Sequence, residues 1–200
     1  MAWAKNGTPS TLTGAADVIT ISDLTAKTFN IVLSNSSGSG GAVQWTKRLG
    51  YTSIDTGSNY ATRYSTNGGA DSTETSQASI YQMNSGAGVH GMFDVGYIIN
   101  ISGQEKLMIM HVMWAGSSGA GNAPERNEIV GKWVNTTNQF NHVQTVNVNA
   151  GDFDTGSNIS ALGTTGNEVL YKIQNGTVFE ETDTNKSYIF NSSTSTWTQF

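Results

Sequence analysis

The sequence predicts an all-β protein: an antiparallel β-sandwich of jelly-roll type with a small C-terminal β-meander. Three observations predict it. Apolar residues recur with period two along most of the chain, and no segment of helical length carries a 3.6-residue period. Clusters of Gly, Ser, Asn and Asp interrupt these runs at short intervals. Only 12% of the 200 residues are charged and 36% are hydrophobic, so the polar surface comes from Ser, Thr, Asn and Gly rather than from charge. A net charge of −5 with 10% aromatics lies outside the usual composition of disordered chains. The length suits one domain, or one domain with a small appendage. Two prolines exclude collagen-like and polyproline stalks. Missing crossover helices exclude a parallel α/β fold, which leaves a closed barrel as the competing architecture.

The strands follow from the alternation. The first candidates are Asp17–Ser22, Thr28–Ser34, Ala42–Leu49 and Asn59–Ser65, all short and rich in β-branched or aromatic residues. The clearest run is Phe93–Ile101, where Phe93, Val95, Tyr97, Ile99 and Ile101 share the face expected to be buried. Asp94, Gly96 and Asn100 fall on the expected wet face. Ser102-Gly103-Gln104 supplies a turn, and Leu107–Trp114 follows as the second arm of a hairpin. That second run is apolar on both faces apart from His111, as for a central strand covered on both sides. Glu128–Val134, His142–Asn149 and Glu168–Ile173 complete the candidate strands. Ser34–Gly41, Thr66–Asp71, Asn84–Gly88, Gly116–Asn122, Asn135–Asn138 and Gly151–Asn158 read as turns. The pentapeptide Asp-Thr-Gly-Ser-Asn occurs at Asp55–Asn59 and again at Asp154–Asn158, and reads as one turn solution used twice.

The division expected is a sandwich over residues 1–173 and a meander over 174–200, joined at Asn175-Gly176. Within the meander, Thr177–Thr182, Ser187–Asn191 and Thr196–Phe200 alternate with the turns Asp183–Lys186 and Ser192–Ser195. Three short strands are too few to stand alone. Val178, Tyr188, Phe190 and Trp197 are therefore the candidate subunit interface, and a homo-oligomer, a trimer in particular, is expected.

No chemistry-bearing constellation emerges, and an enzyme is not expected. The chain has no cysteine, which removes disulfides, thiolate catalysis and Cys-ligated metals. His90, His111 and His142 stand at no metal-ligand spacing. There is no G-x-S-x-G elbow and no phosphate-cradling P-loop, so neither catalytic residues nor cofactors are assigned. Gly151–Asn158 fails as a calcium loop because Ser157 and Gly163 stand where an EF-hand needs Gly and Glu. Glu180 and Glu181, adjacent on a strand, point to opposite faces and do not act as a pair. Scattered Lys and Arg at a pI near 5.0 give no nucleic-acid footprint. No apolar run has the length to span a bilayer, and MAWAKNGTPS shows no secretory signal. Trp45, Tyr51, Tyr60, Tyr64, Trp114 and Trp133 fill a core or form a sugar platform; Tyr60 and Tyr64, on one face of their strand, are the candidate glycan platform.

The stretch Asn175–Asn191, NGTVFEETDTNKSYIFN, followed by Thr196-Trp197, resembles a hairpin motif of bacteriophage virion proteins, found in tail-fibre and capsid-appended chains. Phe190 stands where Trp is commoner in that motif. Leu24–Asn30, Tyr60–Asp71, Asn100–Leu107 and Asp154–Leu162 are similar to segments of proteins from marine phages and other environmental viruses. The resemblance implies a non-enzymatic virion structural protein, a capsid decoration (cement) protein or a head or tail fibre component. It would be made in the host cytoplasm and partnered by itself and by virion proteins such as the major capsid protein. The alternative expectation is a glycan-binding adhesin module for host-surface attachment.

Overall fold

The computed structural model describes residues 3–87, 91–166, 175–181, 183–191, 193–194 and 196–200. Its strands are β1 (Ala4–Lys5), β2 (Ser10–Thr11), β3 (Val18–Ile21), β4 (Phe29–Ser39), β5 (Ala42–Tyr51), β6 (Ser53–Ile54), β7 (Tyr60–Thr66), β8 (Ser72–Gln77), β9 (Ile80–Ala87), β10 (Gly91–Ile99), β11 (Lys106–Trp114), β12 (Glu125–Trp133), β13 (His142–Asn147), β14 (Asp152–Phe153), β15 (Asn158–Thr164), β16 (Val178–Glu181), β17 (Lys186–Asn191) and β18 (Thr196–Gln199). There is no helix among the described residues, and all the pairings are antiparallel.

Residues Trp3–Gly166 form one compact unit. Its larger sheet runs β1-β15-β4-β10-β11-β12-β7-β8, with β2 also on β15 and β14 on β4. The second sheet runs β3-β13-β5, with β9 and β6 on the far side of β5. The succession β1/β2-β15-β4-β10 opposite β3-β13-β5-β9 is the double Greek key of a jelly roll. The remaining strands β11, β12, β7 and β8 extend only the larger sheet. The core lies between the layers: Trp45 is fully buried, stacks on Phe153 at 6.4 Å and donates from Nε1 to Ser36 Oγ at 2.7 Å.

The predicted hairpin is present, with Phe93 opposite Met113 and Tyr97 opposite Ile109. Its faces are inverted. Met92, Asp94, Gly96 and Ile98 point into the core, while Phe93 and Tyr97 are exposed. Two features reverse the phase. Asp94 finds a cation inside the sandwich in Lys47, and Gly96 leaves room for Met110, whose Cγ lies 3.0 Å from where a Cβ would stand. Likewise β11 is covered on one side only: Met108, Met110, Val112 and Trp114 are buried while Leu107, Ile109 and Met113 are exposed. His111 is exposed rather than in the core.

Several turns read from composition are strands instead. β4 continues through Ser34–Ser39 because Ser36 and Ser37 pair with Met92 and Gly91, and Gly38 and Ser39 with β14. β9 runs through Asn84, opposite Gln44, to Ala87. β8 has no apolar residue and is held by its backbone ladder to β7. The expected strand Glu168–Ile173 lies outside the described residues.

The second unit contains the antiparallel sheet β16-β17-β18, which matches the expected three-strand meander in order and pairing. Asn185, at φ +54°, occupies the left-handed position of the β16–β17 turn.

Candidate functional site

Among the described residues, exposed apolar side chains gather on two surfaces. The first is the outer face of the larger sheet. Register carries one row across five strands, Leu162–Ile31–Tyr97–Ile109–Val130, before it meets Arg63 and Thr73. Tyr97, Ile109 and Val130 are 50–55% exposed, and Leu107, Phe93 and Met113 extend the surface along the strands. A groove of about 270 Å³ beside this row is lined by Trp3, Phe29, Tyr97, Leu107 and Ile109 among others. The next row runs Ser160–Leu33–Val95–His111–Glu128–Ser65: Leu33 and Val95 continue the apolar face toward Phe93 and Met113, and His111, Glu128 and Ser65 make it polar on the β12/β7 side.

The second surface is on the meander. Direct pairing places Phe179 beside Tyr188 and Phe190 beside Trp197. Ring centroids lie 6.3 Å apart for Phe179–Tyr188, 6.1 Å for Phe179–Trp197 and 5.1 Å for Phe190–Trp197, a continuous aromatic cluster. A groove of about 430 Å³ is lined by Phe179, Glu181, Tyr188 and Trp197. Tyr188, Phe190 and Trp197 therefore share a face, whereas Val178 pairs with Ile189 on the other one. The member that pairing puts in Val178's place is Phe179, its neighbour in sequence. Both phases of Thr177–Thr182 contain one apolar residue, so alternation within that segment did not choose between them.

The candidate glycan platform does not form. Tyr60 is 1% exposed, and burial, its largest influence, pushes its phenol well above the ordinary tyrosine range. Its hydroxyl donates toward Leu49 O and Asp55 O, at 2.8 and 3.0 Å, and accepts from Leu49 N at 3.0 Å. Tyr64 is half-buried against Tyr81, with centroids 4.5 Å apart. Of the other aromatics weighed for sugar binding, Trp45, Trp114 and Trp133 are buried and Tyr51 alone is exposed.

The two Asp-Thr-Gly-Ser-Asn copies adopt different structures. Asp55 gathers its own loop: Oδ1 accepts from Gly57 N at 2.8 Å, while Oδ2 accepts from Asn59 Nδ2 at 2.9 Å and from Trp133 Nε1 at 2.7 Å. In the second copy Gly156 takes φ +88° and Ser157 N donates to Asp154 O at 3.1 Å. Only this copy uses the glycine's left-handed freedom. Burial, the largest influence on Asp55, would raise its carboxyl, but the three kinds of hydrogen bond outweigh it and the pKa lies below the ordinary 3.8. The sign follows. A folded pKa below the unfolded one adds stability that is present above the unfolded pKa and is lost as pH falls through the folded value. Asp55→Asn should therefore flatten the acid side of the stability profile below about pH 4 and cost about 1–3 kcal/mol at neutral pH. Urea titrations at several pH values test this, and an unchanged acid slope would refute it.

No cluster of three or more His, Cys, Asp or Glu residues fit to hold a metal occurs among the described residues. His142 Nδ1 donates to Asn141 Oδ1 at 2.6 Å, and His90 lies outside the described residues. No protein-family model, curated protein or solved structure matches this chain. The class that fold and surfaces define is an antiparallel jelly-roll sandwich with exposed apolar faces on both of its units.

Proposed function

We propose that this chain is a non-enzymatic structural protein of a virus particle, a capsid decoration protein or a head or tail fibre component that acts through contacts with its own copies and with other virion proteins. The observation that carries the reading is the C-terminal hairpin NGTVFEETDTNKSYIFN, resembling the phage virion motif, whose aromatics gather on one exposed face as Phe179, Tyr188, Phe190 and Trp197. A cluster of this kind, carried on three short strands, gains from being covered by a neighbouring chain, and a three-fold arrangement closes such a contact on a capsid or spike axis. A sparsely charged surface supports the same reading, because copies crowded on a particle do not repel one another strongly. The adhesin alternative loses its motivating pair with the burial of Tyr60.

Quantitative mass spectrometry of purified particles is the test. The chain should be present at many copies per particle. Its recovery only from infected-cell lysate, and never from particles, would sink the proposal.

A further inference from the structure

We propose that the outer face of the larger sheet is a second, two-fold interface, occupied by the same face of another copy of this chain. It is carried by residues of the unit Trp3–Gly166 and does not depend on the meander or on residence in a virion.

The first argument is area. Phe93, Tyr97, Leu107, Ile109, Met113 and Val130 are each 40–56% exposed. With fully exposed large side chains near 150–250 Å², they offer roughly 500 Å² of contiguous apolar surface. That is at the upper end for a free monomer, where the largest patch is about 300–600 Å². A standard interface buries about 800 Å² per partner, so this apolar centre supplies more than half of what a stable dimer needs and the polar flanks have about 300 Å² to add.

The second argument is the distribution of charge. The β12/β7 flank of the face carries Arg63, Arg126, Glu128 and Lys132, whereas the β4/β15 flank carries neutral Asn35, Ser37, Asn158 and Ser160. A two-fold axis lying in the interface and running along the strands, between β10 and β11, lays each charged flank over the partner's neutral one. It also sets Tyr97 of one copy over Ile109 of the other. An axis across the strands would place the two charged flanks over each other. Flat pleated faces pack about 10 Å apart with strands near −30°, which suits a sheet occupant better than a narrow peptide.

Ile109→Glu places a carboxylate at the centre of this contact, at a position already half exposed in the monomer. Light scattering of the full chain at about 100 μM should show that it halves the mass of the assembly, whatever three-fold contact the meander adds. Val130→Glu should act in the same direction, and Thr75→Glu, on the edge strand β8, should leave the mass unchanged. Far-UV circular dichroism and the melting temperature of the dissociated species report whether the monomer still folds. A wild-type chain that runs as a monomer, or a folded Ile109→Glu protein with the wild-type mass, overturns the proposal. Failure of the three-fold reading is seen separately, as a wild-type mass of two copies and no more.

Discussion

Replacing Asp94 by alanine is expected to cost about 3–5 kcal/mol. Asp94 Oδ1 lies 2.6 Å from Lys47 Nζ, and both side chains are wholly buried between the sheets. Lys47 Nζ also donates to Ser34 Oγ at 3.0 Å, and Ser34 is within 3.1 Å of Thr145 Oγ1. Alanine leaves the lysine's charge in the sandwich with only a hydroxyl beside it. The pair itself adds little net stability, because desolvation offsets the attraction; removing one member is what is costly. The comparison variant is Lys47→Met with Asp94→Leu, which keeps apolar volume and lets Ser34 and Thr145 bond to each other. Urea denaturation should place the double variant at or above the wild type, with Asp94→Ala far below both. Asp94→Ala within about 1 kcal/mol of wild type would show that the charge is accommodated by water and that the core is not sealed.

Trp45→Ala is expected to be of the same size, about 3–5 kcal/mol, for a different reason. Its ring fills the space between β5 and β4, stacks on Phe153 and satisfies Ser36 through Nε1. Alanine leaves a cavity and an unpartnered serine hydroxyl. Trp45→Phe refills most of the cavity and loses only the hydrogen bond, so it should recover more than half of the loss. Thermal melts of the two variants separate the contributions. Equal destabilisation by Phe and Ala would mean that the hydrogen bond rather than the packing dominates. Against a total stability of about 5–15 kcal/mol, either alanine variant removes from about a fifth to nearly all of it.

The unequal legibility of the chain has physical causes. Period-two alternation and Gly/Ser/Asn/Asp punctuation were sufficient for the all-β class, for the hairpin of β10 and β11 and for the meander's three strands, because these are local properties of the backbone and of turn residues. Which phase of an alternating strand faces inward is not local. In β10 the more apolar set, Phe93, Val95 and Tyr97, lies outside, and the set with Asp94 and Gly96 lies inside. That choice depends on Lys47, 47 residues away, and on Met110 in the next strand. In β16 a single step of phase exchanges Val178 for Phe179, and only the partner strand decides it. Polar strands such as β8 and the far half of β4 carry no apolar period and exist through ladder hydrogen bonds, β8 to its neighbour β7 and β4 to the distant β10 and β14. Composition and periodicity by themselves determined the class of fold and its neutral surface. Burial of the Lys47–Asp94 pair, withdrawal of Tyr60 from the surface and exposure of the Tyr97–Ile109–Val130 row were decided by tertiary structure alone, because each depends on what a second strand or sheet places opposite.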